Sequence, residues 1–372
     1  MLALRKRIRG SQSLKIDIQV DFDAFWLSLQ ADISSSRDYV FIQTFSFEGD
    51  SVGKKLSNLL MSAAAADKRI LADSFTKFVL SDKFLYSPIN LFNSKLRQEW
   101  RETIRMIRSI EEAGIRVNFT NSIGLSLVKC LGRNHKKLVV IDDRVAYIGG
   151  INFSEHNSQW HDMMIRIEDA GAAQFLRDDF LASWNGQNQL DAKSFDKVAI
   201  YLLDGRSNSD VFNALLGLID AAQESIFIES PYMTLPFYDR LRDARRRGVS
   251  VRIITPEINN WSYFPQYAQY ESASSGIELR LYKNRMSHLK AMLIDDQYLI
   301  VGSSNFDYLS YTVYQEIIAV ITDPDLIASF REEVICEDMK NSSSFEGKAI
   351  NIRGRWLKFK LGLLAKLLEF FS

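Results

Sequence analysis

Two of the four histidines in this 372-residue sequence occupy the same place in a string that occurs twice, His-x-Lys-x4-Asp-x6-Gly-[Gly/Ser]-x-Asn. The first copy is His135, Lys137, Asp142, Gly149, Gly150 and Asn152; the second is His288, Lys290, Asp295, Gly302, Ser303 and Asn305. These residue types suit the opening of a phosphodiester without a metal. That reaction needs a nucleophile, an acid for the departing alkoxide, and positive charge on the phosphoryl oxygens. Two imidazoles can divide the first two tasks, because histidine attacks and donates near neutral pH. Lys137, Lys290, Asn152 and Asn305 can bind the non-bridging oxygens, where transition-state charge builds. A lone His-x-Lys is most often a solvated strand end. Its repetition at identical spacing, with Gly-[Gly/Ser]-x-Asn after each copy, points instead to one site assembled from two halves.

Strand side chains alternate, so His135 and Lys137 project together, as do His288 and Lys290. Apolar runs at 138–141 and 145–148, and again at 292–294 and 298–301, flank Asp142-Asp143 and Asp295-Asp296. An aspartate pair between two such runs reads as a hairpin turn, where the carboxylate accepts local backbone hydrogen bonds. Asp142 and Asp295 are therefore assigned to structure, with Gly149, Gly150, Gly302 and Ser303. The carboxylates expected near the chemistry are Asp162 and Glu316. They follow their histidines by 27 and 28 residues, and each begins another apolar run, 163–167 and 317–321.

The duplication extends beyond the motifs. Residues 39–45 (YVFIQTF) precede a helical pattern at 51–66 and an apolar strand at 69–72; residues 225–232 (SIFIESPY) precede a helical pattern at 236–247 and a strand at 249–254. Both read as strand, helix, strand, the start of a parallel crossover unit. Ile42 lies 93 residues before His135, but Ile228 lies only 60 before His288, so the first half carries about 33 extra residues, assigned to 75–100. That stretch is either a substrate-gating element or an added helix. Residues 185–197 are polar and aperiodic and read as a linker, and 341–347 as a flexible joint. The expected divisions are a basic tail at 1–14, lobes at 15–190 and 198–340, and a final helix at 348–372.

That final segment, RGRWLKFKLGLLAKLLEFFS, is a basic amphipathic helix by pattern. Trp356, Phe359, Leu363, Leu367, Phe370 and Phe371 crowd one side, Lys358, Lys366 and Glu369 lie opposite, and Lys360 intrudes on the apolar side. Such a helix reads as a membrane-interface segment or as one docked on its own domain. Arg5, Lys6, Arg7 and Arg9 would add attraction to anionic lipid. No run of 18 apolar residues exists, and no signal peptide is evident. Lys plus Arg equals Asp plus Glu at 46 each, so nothing favours nucleic acid as partner. Cys130 and Cys336 make neither a disulfide framework nor a zinc site and are expected to be buried. His156 and His161, near Glu155 and Asp162, lack the spacing of helical metal pairs, and neither metal nor cofactor is expected. The aromatic stretch 261–270 reads as a surface loop or a wall for acyl chains.

Taken together, the two motifs resemble the paired signature of the phospholipase D superfamily, and the resemblance runs from about residue 15 to about 321. Element order and the basic tail are most similar to bacterial cardiolipin synthases of the short kind without N-terminal transmembrane helices. The resemblance implies an α/β fold of two α/β/α-sandwich lobes with mixed β-sheets, related by pseudo-twofold symmetry, plus the C-terminal amphipathic helix. It implies two-step phosphatidyl transfer through a phosphohistidine, with His135 as nucleophile and His288 as acid, although the near-symmetry of the copies leaves that exchange open. It pairs Asp162 with His135 and Glu316 with His288 to orient the rings. Substrates would be phospholipids such as phosphatidylglycerol or phosphatidylethanolamine, at the cytoplasmic face of a bacterial inner membrane. Leu309 and Tyr314 stand where these synthases usually carry Arg and Asn, and Asp73 lacks the Gly-Ser that often follows. Hydrolysis to phosphatidic acid, or nuclease chemistry on the same scaffold, are the alternatives.

Overall fold

The computed structural model describes residues 14–122, 131–347 and 352–371. In chain order the first lobe contributes β1 (Lys15–Val20), β2 (Tyr39–Thr44), β3 (Asp67–Asp73), a short hairpin of β4 (Val79–Leu80) and β5 (Lys83–Phe84), β6 (Arg116–Thr120), β7 (Leu138–Ile141), β8 (Val145–Gly149) and β9 (Met163–Glu168). The second contributes β10 (Asp191–Phe195), β11 (Val198–Asp204), β12 (Ser225–Glu229), β13 (Ser250–Pro256), β14 (Glu278–Tyr282), β15 (Ala291–Ile294), β16 (Tyr298–Gly302), β17 (Gln315–Ile321) and β18 (Ser342–Ser344).

The first sheet runs β1-β9-β8-β7-β2-β3-β6, and the second β10-β11-β17-β16-β15-β12-β13-β14-β18. Without its two edge strands the second order repeats the first strand for strand. In each, three parallel strands (β2, β3, β6 and β12, β13, β14) continue into an antiparallel meander. The strand-helix-strand units expected from sequence are present, with helices Ser51–Ser62 and Phe237–Arg246. The first helix stops four residues short of the expected end. The N–H groups of Ala66 and Asp67 instead bond the carbonyls of Arg37 and Asp38, at 3.0 Å each, to begin pairing β3 with β2.

Both faces of each sheet are covered, which is why β7, β8 and β15 are buried at every position. One core lies between the sheets. It joins Leu138, Val140 and Ile148 to Leu293, Val301 and Ile317, with Phe180 of helix Ala170–Trp184 and Phe330 of helix Pro324–Phe330. Outer cores form under helices Asp21–Ser34, Ser51–Ser62 and Ser94–Glu112 on one side, and Asn208–Ala221, Phe237–Arg246 and Tyr263–Ser275 on the other.

Several expectations need correction. The linker at 185–197 contains β10, which pairs antiparallel with β11, and the joint at 341–347 contains β18, which pairs with β14. Both are edge strands: β10 is exposed at each position from Asp191 to Ser194 and β18 is three serines, so neither has the apolar alternation that would reveal it. The aromatic stretch 261–270 is mostly helix, not loop. The added first-lobe residues form a turn of 3-10 helix (Ser74–Lys77), the β4–β5 hairpin and irregular chain, packed on Leu80, Leu85 and Leu96. Cys336 is exposed, on an amphipathic helical stretch that turns it outward; Cys130 and the N-terminal basic cluster lie outside the described residues.

The C-terminal helix Ile352–Phe371 is docked along one stripe and open along another. Leu357 and Leu361 join the second lobe's outer core, and Lys358 Nζ donates to Glu271 Oε1 at 2.8 Å. Gly354 permits the approach: a Cβ there would lie 2.4 Å from Tyr270 Cβ. Trp356, Phe359 and Leu363, three, four and seven residues apart along the outer side, remain 60%, 65% and 52% exposed. No helix among the described residues is long and apolar enough to cross a membrane.

Candidate active site

Each motif begins just before the strand that follows it, β7 or β15, and its aspartate closes the next hairpin. Asp142, Asp143, Asp295 and Asp296 all have positive φ, 45–52°, the two-residue turn that matches strand twist. Asp142 accepts the backbone N–H groups of Arg37, Asp38 and Tyr39 at 2.7, 3.0 and 2.8 Å; Asp295 accepts those of Gln223, Glu224 and Ser225 at 2.8, 2.9 and 2.9 Å. The motif aspartates thus tie the turn to the start of β2 or β12, at the sheet end away from the histidines.

At the other end the lobes exchange backbone bridges. His135 N–H donates to the Gln315 carbonyl and Gln315 N–H to the Arg133 carbonyl, both at 2.9 Å. Symmetrically, His288 N–H donates to the His161 carbonyl at 2.6 Å and His161 N–H to the Met286 carbonyl at 2.9 Å. Asp162 and Glu316 each follow a bridged residue, so each carboxylate is delivered to the histidine of the opposite lobe. His135 Nδ1 lies 2.9 Å from Glu316 Oε1, and His288 Nδ1 lies 2.7 Å from Asp162 Oδ2. The same-lobe pairing expected from sequence is therefore wrong; the partners are crossed.

The glycines explain why the second motif has serine where the first has glycine. A Cβ on Gly150 would stand 2.2 Å from Asp162 Oδ1, so the short carboxylate needs that space. Glu316 reaches one methylene further, and Ser303 fits, its hydroxyl donating to Glu316 Oε2 at 2.5 Å. Ser310 adds a second donor to Oε1 at 3.0 Å. Gly149 and Gly302 are fixed by close approach, since a Cβ would meet the carbonyl oxygens of Met163 and Ile317 at 2.3 and 2.2 Å.

Four motif cations and amides are buried around the dyads: Lys137, Lys290, Asn152 and Asn305 are all at most 5% exposed. Lys137 Nζ donates to the His135 carbonyl at 2.8 Å, and Lys290 Nζ donates to the His288 carbonyl while lying 2.6 Å from His288 Nδ1. Asn305 Oδ1 is buried without a hydrogen-bond partner among the described residues, and Asn152 Oδ1 accepts from Thr44 at 3.4 Å. Burial disfavours every charge here. It lowers Lys137 to about 7 and Lys290 to about 8, and lowers His135 despite Glu316. His288 is lowered to about 3, by burial first and then by Lys290. Burial also opposes ionisation of Asp162 and Glu316, yet Lys290 and His288 for the former, and His135 and Lys137 for the latter, hold both below the usual carboxylate range.

Sequence reasoning missed the residues that frame these groups. Trp160 and Tyr314 occupy equivalent positions two before the acids, and each ring faces the opposite-lobe histidine, 4.8 Å from His288 and 5.6 Å from His135. Phe45 and Tyr232, just past β2 and β12, cover the other sides at 5.1 and 6.0 Å. Asp73, buried at the end of β3, accepts from Arg133 Nη1 at 3.1 Å and from the Asn134 N–H at 2.7 Å, which holds the His135 loop. Tyr314 and Asp73 stood out in the sequence only as departures from the family pattern, and Trp160, Phe45 and Tyr232 are aromatic residues at strand ends, a type too common to single them out.

His161 is not an isolated site. Its Nδ1 lies 2.8 Å from Asp21 and its Nε2 2.9 Å from Asp338, with Glu229 alongside. Burial opposes its charge, but Asp21 and Asp338 outweigh it and push the ring up to about 10. At neutral pH both ring nitrogens then carry protons, one directed to each carboxylate.

The sequence profile of the family described as "Cardiolipin synthase, PLD-like domain" matches residues 29–184 and 215–335. The chain is 26% identical over 399 aligned positions to "Cardiolipin synthase 1" of Staphylococcus epidermidis, covering 99% of this chain and 76% of that one. It is 28% identical over 376 positions to a cardiolipin synthase of Staphylococcus aureus, covering 93% and 71%. Among solved structures, the phosphatidylserine synthase of Haemophilus influenzae superposes with a TM-score of 0.70 at 16% identity, over 95% of this chain and 94% of that one. The polyphosphate kinase of Porphyromonas gingivalis superposes at 0.59 and 13% identity, over 94% and 53%. At these identities the structural likenesses speak to the fold alone, two lobes of mixed sheet and helix.

Proposed function

The chain belongs to the cardiolipin synthase, phospholipase D-like family, and from that premise we propose that it transfers a phosphatidyl group from one phospholipid to the hydroxyl of another through a phosphohistidine. Phosphatidylglycerol or phosphatidylethanolamine would be the substrates. The observation that carries this reading is the pair of crossed dyads. Neither lobe keeps a histidine with its own carboxylate, so the two rings serve one site between the lobes.

In the first step His135 Nε2 attacks phosphorus, the bond from phosphorus to the head-group oxygen breaks, and His288 gives that oxygen its Nε2 proton. In the second, the acceptor hydroxyl hands its proton to His288 as its oxygen attacks phosphorus, and the bond to His135 breaks. The choice of His135 as nucleophile follows the family resemblance. Glu316 and Asp162 keep the Nδ1 protons in place and stabilise each ring as it becomes cationic. Lys137, Lys290, Asn152 and Asn305 bear on the non-bridging oxygens. Burial holds His288 low, and the charge of a phosphodiester anion beside the ring favours its protonated form, so substrate binding loads the acid.

The exposed stripe of Trp356, Phe359 and Leu363, with exposed Arg355 and Lys360 beside it, supports a peripheral position on a membrane. Anionic lipids at the cytoplasmic face of a bacterial inner membrane are the surface such a helix favours. Liposomes containing phosphatidylglycerol should yield mainly cardiolipin and glycerol, measured by lipid mass spectrometry with the purified full chain. Phosphatidic acid as the main product, even with added glycerol, would make the protein a hydrolase and overturn the proposal.

A further inference from the structure

The two histidines have different surroundings on the side facing the first-lobe addition. The β4–β5 hairpin turns through Ser81 and Asp82, both at positive φ (47° and 59°), and carries its tip across to the second lobe. There Asn260 Nδ2 donates to Asp82 Oδ2 at 3.2 Å, and Tyr232 Oη donates to Asn260 Oδ1 at 2.5 Å. The Tyr232 ring stands edge-on to His288, 6.0 Å between centroids. A second path runs from Asp82 Oδ1 to His156 Nε2 at 3.6 Å, from the His156 ring edge-on to Trp160 at 5.4 Å, and from Trp160 to His288 at 4.8 Å. Both paths from the hairpin tip end on the same histidine. His135 is flanked instead by Phe45 and Tyr314.

This asymmetry matters because displacement at phosphorus is in line. With His135 as nucleophile, the departing and the entering alcohol both occupy the side opposite it, the side of His288. Groups around His288 therefore choose the alcohol. Phe264 packs on Tyr232 at 4.9 Å, so most of that wall is aromatic. Asp82 is an accessible acceptor at its edge, with 41% of its side chain exposed. A carboxylate offers about four lone-pair sites; Asn260 occupies one, and His156 stands at ion-pair distance from the other oxygen. His156 Nδ1, 3.8 Å from Glu48, is a further buried polar atom without a hydrogen-bond partner among the described residues. Burial opposes the charge of Asp82, but His156 holds its carboxyl below the usual range, so it accepts rather than donates at neutral pH.

We propose that Asp82, held by Asn260 and His156 at the tip of the β4–β5 hairpin, is an acceptor-positioning residue that takes a second hydroxyl of a polyol acceptor while the first is delivered to His288. The substrate class it selects is an alcohol with a neighbouring hydroxyl, as in a glycerol head group, over a simple alcohol or water. This inference rests on the transfer reading above and refines it.

The test is a competition within one tube. The full chain receives phosphatidylglycerol in mixed micelles with equal concentrations of isotopically labelled glycerol and 1-propanol, and mass spectrometry reads the ratio of the two transfer products. Both arise from the same phosphohistidine, so the ratio does not depend on how fast that intermediate forms. Asp82→Ala should reduce the glycerol-to-propanol ratio about tenfold or more, the size expected for one charge-assisted hydrogen bond. Asp82→Asn keeps the shape and the contact with Asn260, and should fall between, which covers a failure of the alanine variant to fold. Propanediols separate the geometry: 1,2-propanediol should lose as much as glycerol in Asp82→Ala, and 1,3-propanediol less. An unchanged ratio in both variants overturns the assignment. A wild-type protein that forms neither transfer product overturns the transfer reading itself, and the assignment with it.

Discussion

His135 is held by Glu316, 181 residues later in the chain, and His288 by Asp162, 126 residues earlier. Each ring nitrogen thus finds its carboxylate on the opposite lobe. The consequence is that neither half orients its own histidine, and the interface between lobes is part of the candidate site's geometry rather than a seam beside it.

The crossed arrangement separates the roles of the two acids. His135→Ala and His288→Ala should each abolish turnover of phosphatidylglycerol. Asp162→Asn should act on the proton-transfer step through His288, and Glu316→Gln on attack by His135, each costing about 10²–10⁴-fold in kcat. A phosphatidyl donor whose leaving group departs without protonation should restore the first-step burst in Asp162→Asn and His288→Ala but not in Glu316→Gln. Rescue of Glu316→Gln and His135→Ala instead would exchange the roles of the two histidines, making His288 the nucleophile.

Activity should fall on the alkaline side. Lys137 and Lys290, lowered by burial to about 7 and about 8, are charged below those values and neutral above them. Their charge on the phosphoryl oxygens is therefore lost as pH rises through 7–8. The profile of kcat/KM, which reports the free enzyme, should decline over that range. A flat profile to pH 10 would show that the lysines stay charged.

Gly150→Ala should be far more harmful than Ser303→Ala. The first drives a methyl into the space of the Asp162 carboxylate, an overpacking cost of about 1–3 kcal/mol or loss of the His288 contact. The second removes one of two hydroxyls from Glu316, so Ser310 still donates. Thermal unfolding and kcat measured on both variants would check the order.

His161 should make stability depend on pH in a stated direction. Its folded value, about 10, lies above the ordinary 6.5, so its pairing with Asp21 and Asp338 stabilises fully below about 6.5. That contribution is lost as pH rises through about 10. Urea unfolding at pH 7 and pH 10 should show a larger decline for the wild type than for His161→Gln.

The C-terminal helix should separate into two functions. Trp356→Gln, Phe359→Gln and Leu363→Gln together should abolish sedimentation with anionic liposomes and leave the unfolding midpoint within about 1–2 °C, since exposed positions contribute little to stability. Leu357→Ala with Leu361→Ala should instead release the helix from the second lobe, read as faster proteolysis after residue 347. Loss of liposome binding only in the second variant would make the docked stripe, not the open one, the membrane contact.

Chemistry and repetition were legible in the sequence because they are local. Spacing alone placed His135 with Lys137, aspartate pairs in tight turns, and a strand-helix-strand unit in each half, and short-range sterics and hydrogen bonding carry those features. The partner of each histidine was decided only in three dimensions. The segments at 133–135 and 286–288 bridge to 315 and 161 across the lobes, and single bridges between segments so distant in sequence leave no periodic trace. The same holds for β10 and β18, whose polar residues resemble linker, and for the C-terminal helix. Its amphipathic pattern specified an apolar face; packing on Tyr270 and Glu271 decided which stripe is spent on the fold and which is left open.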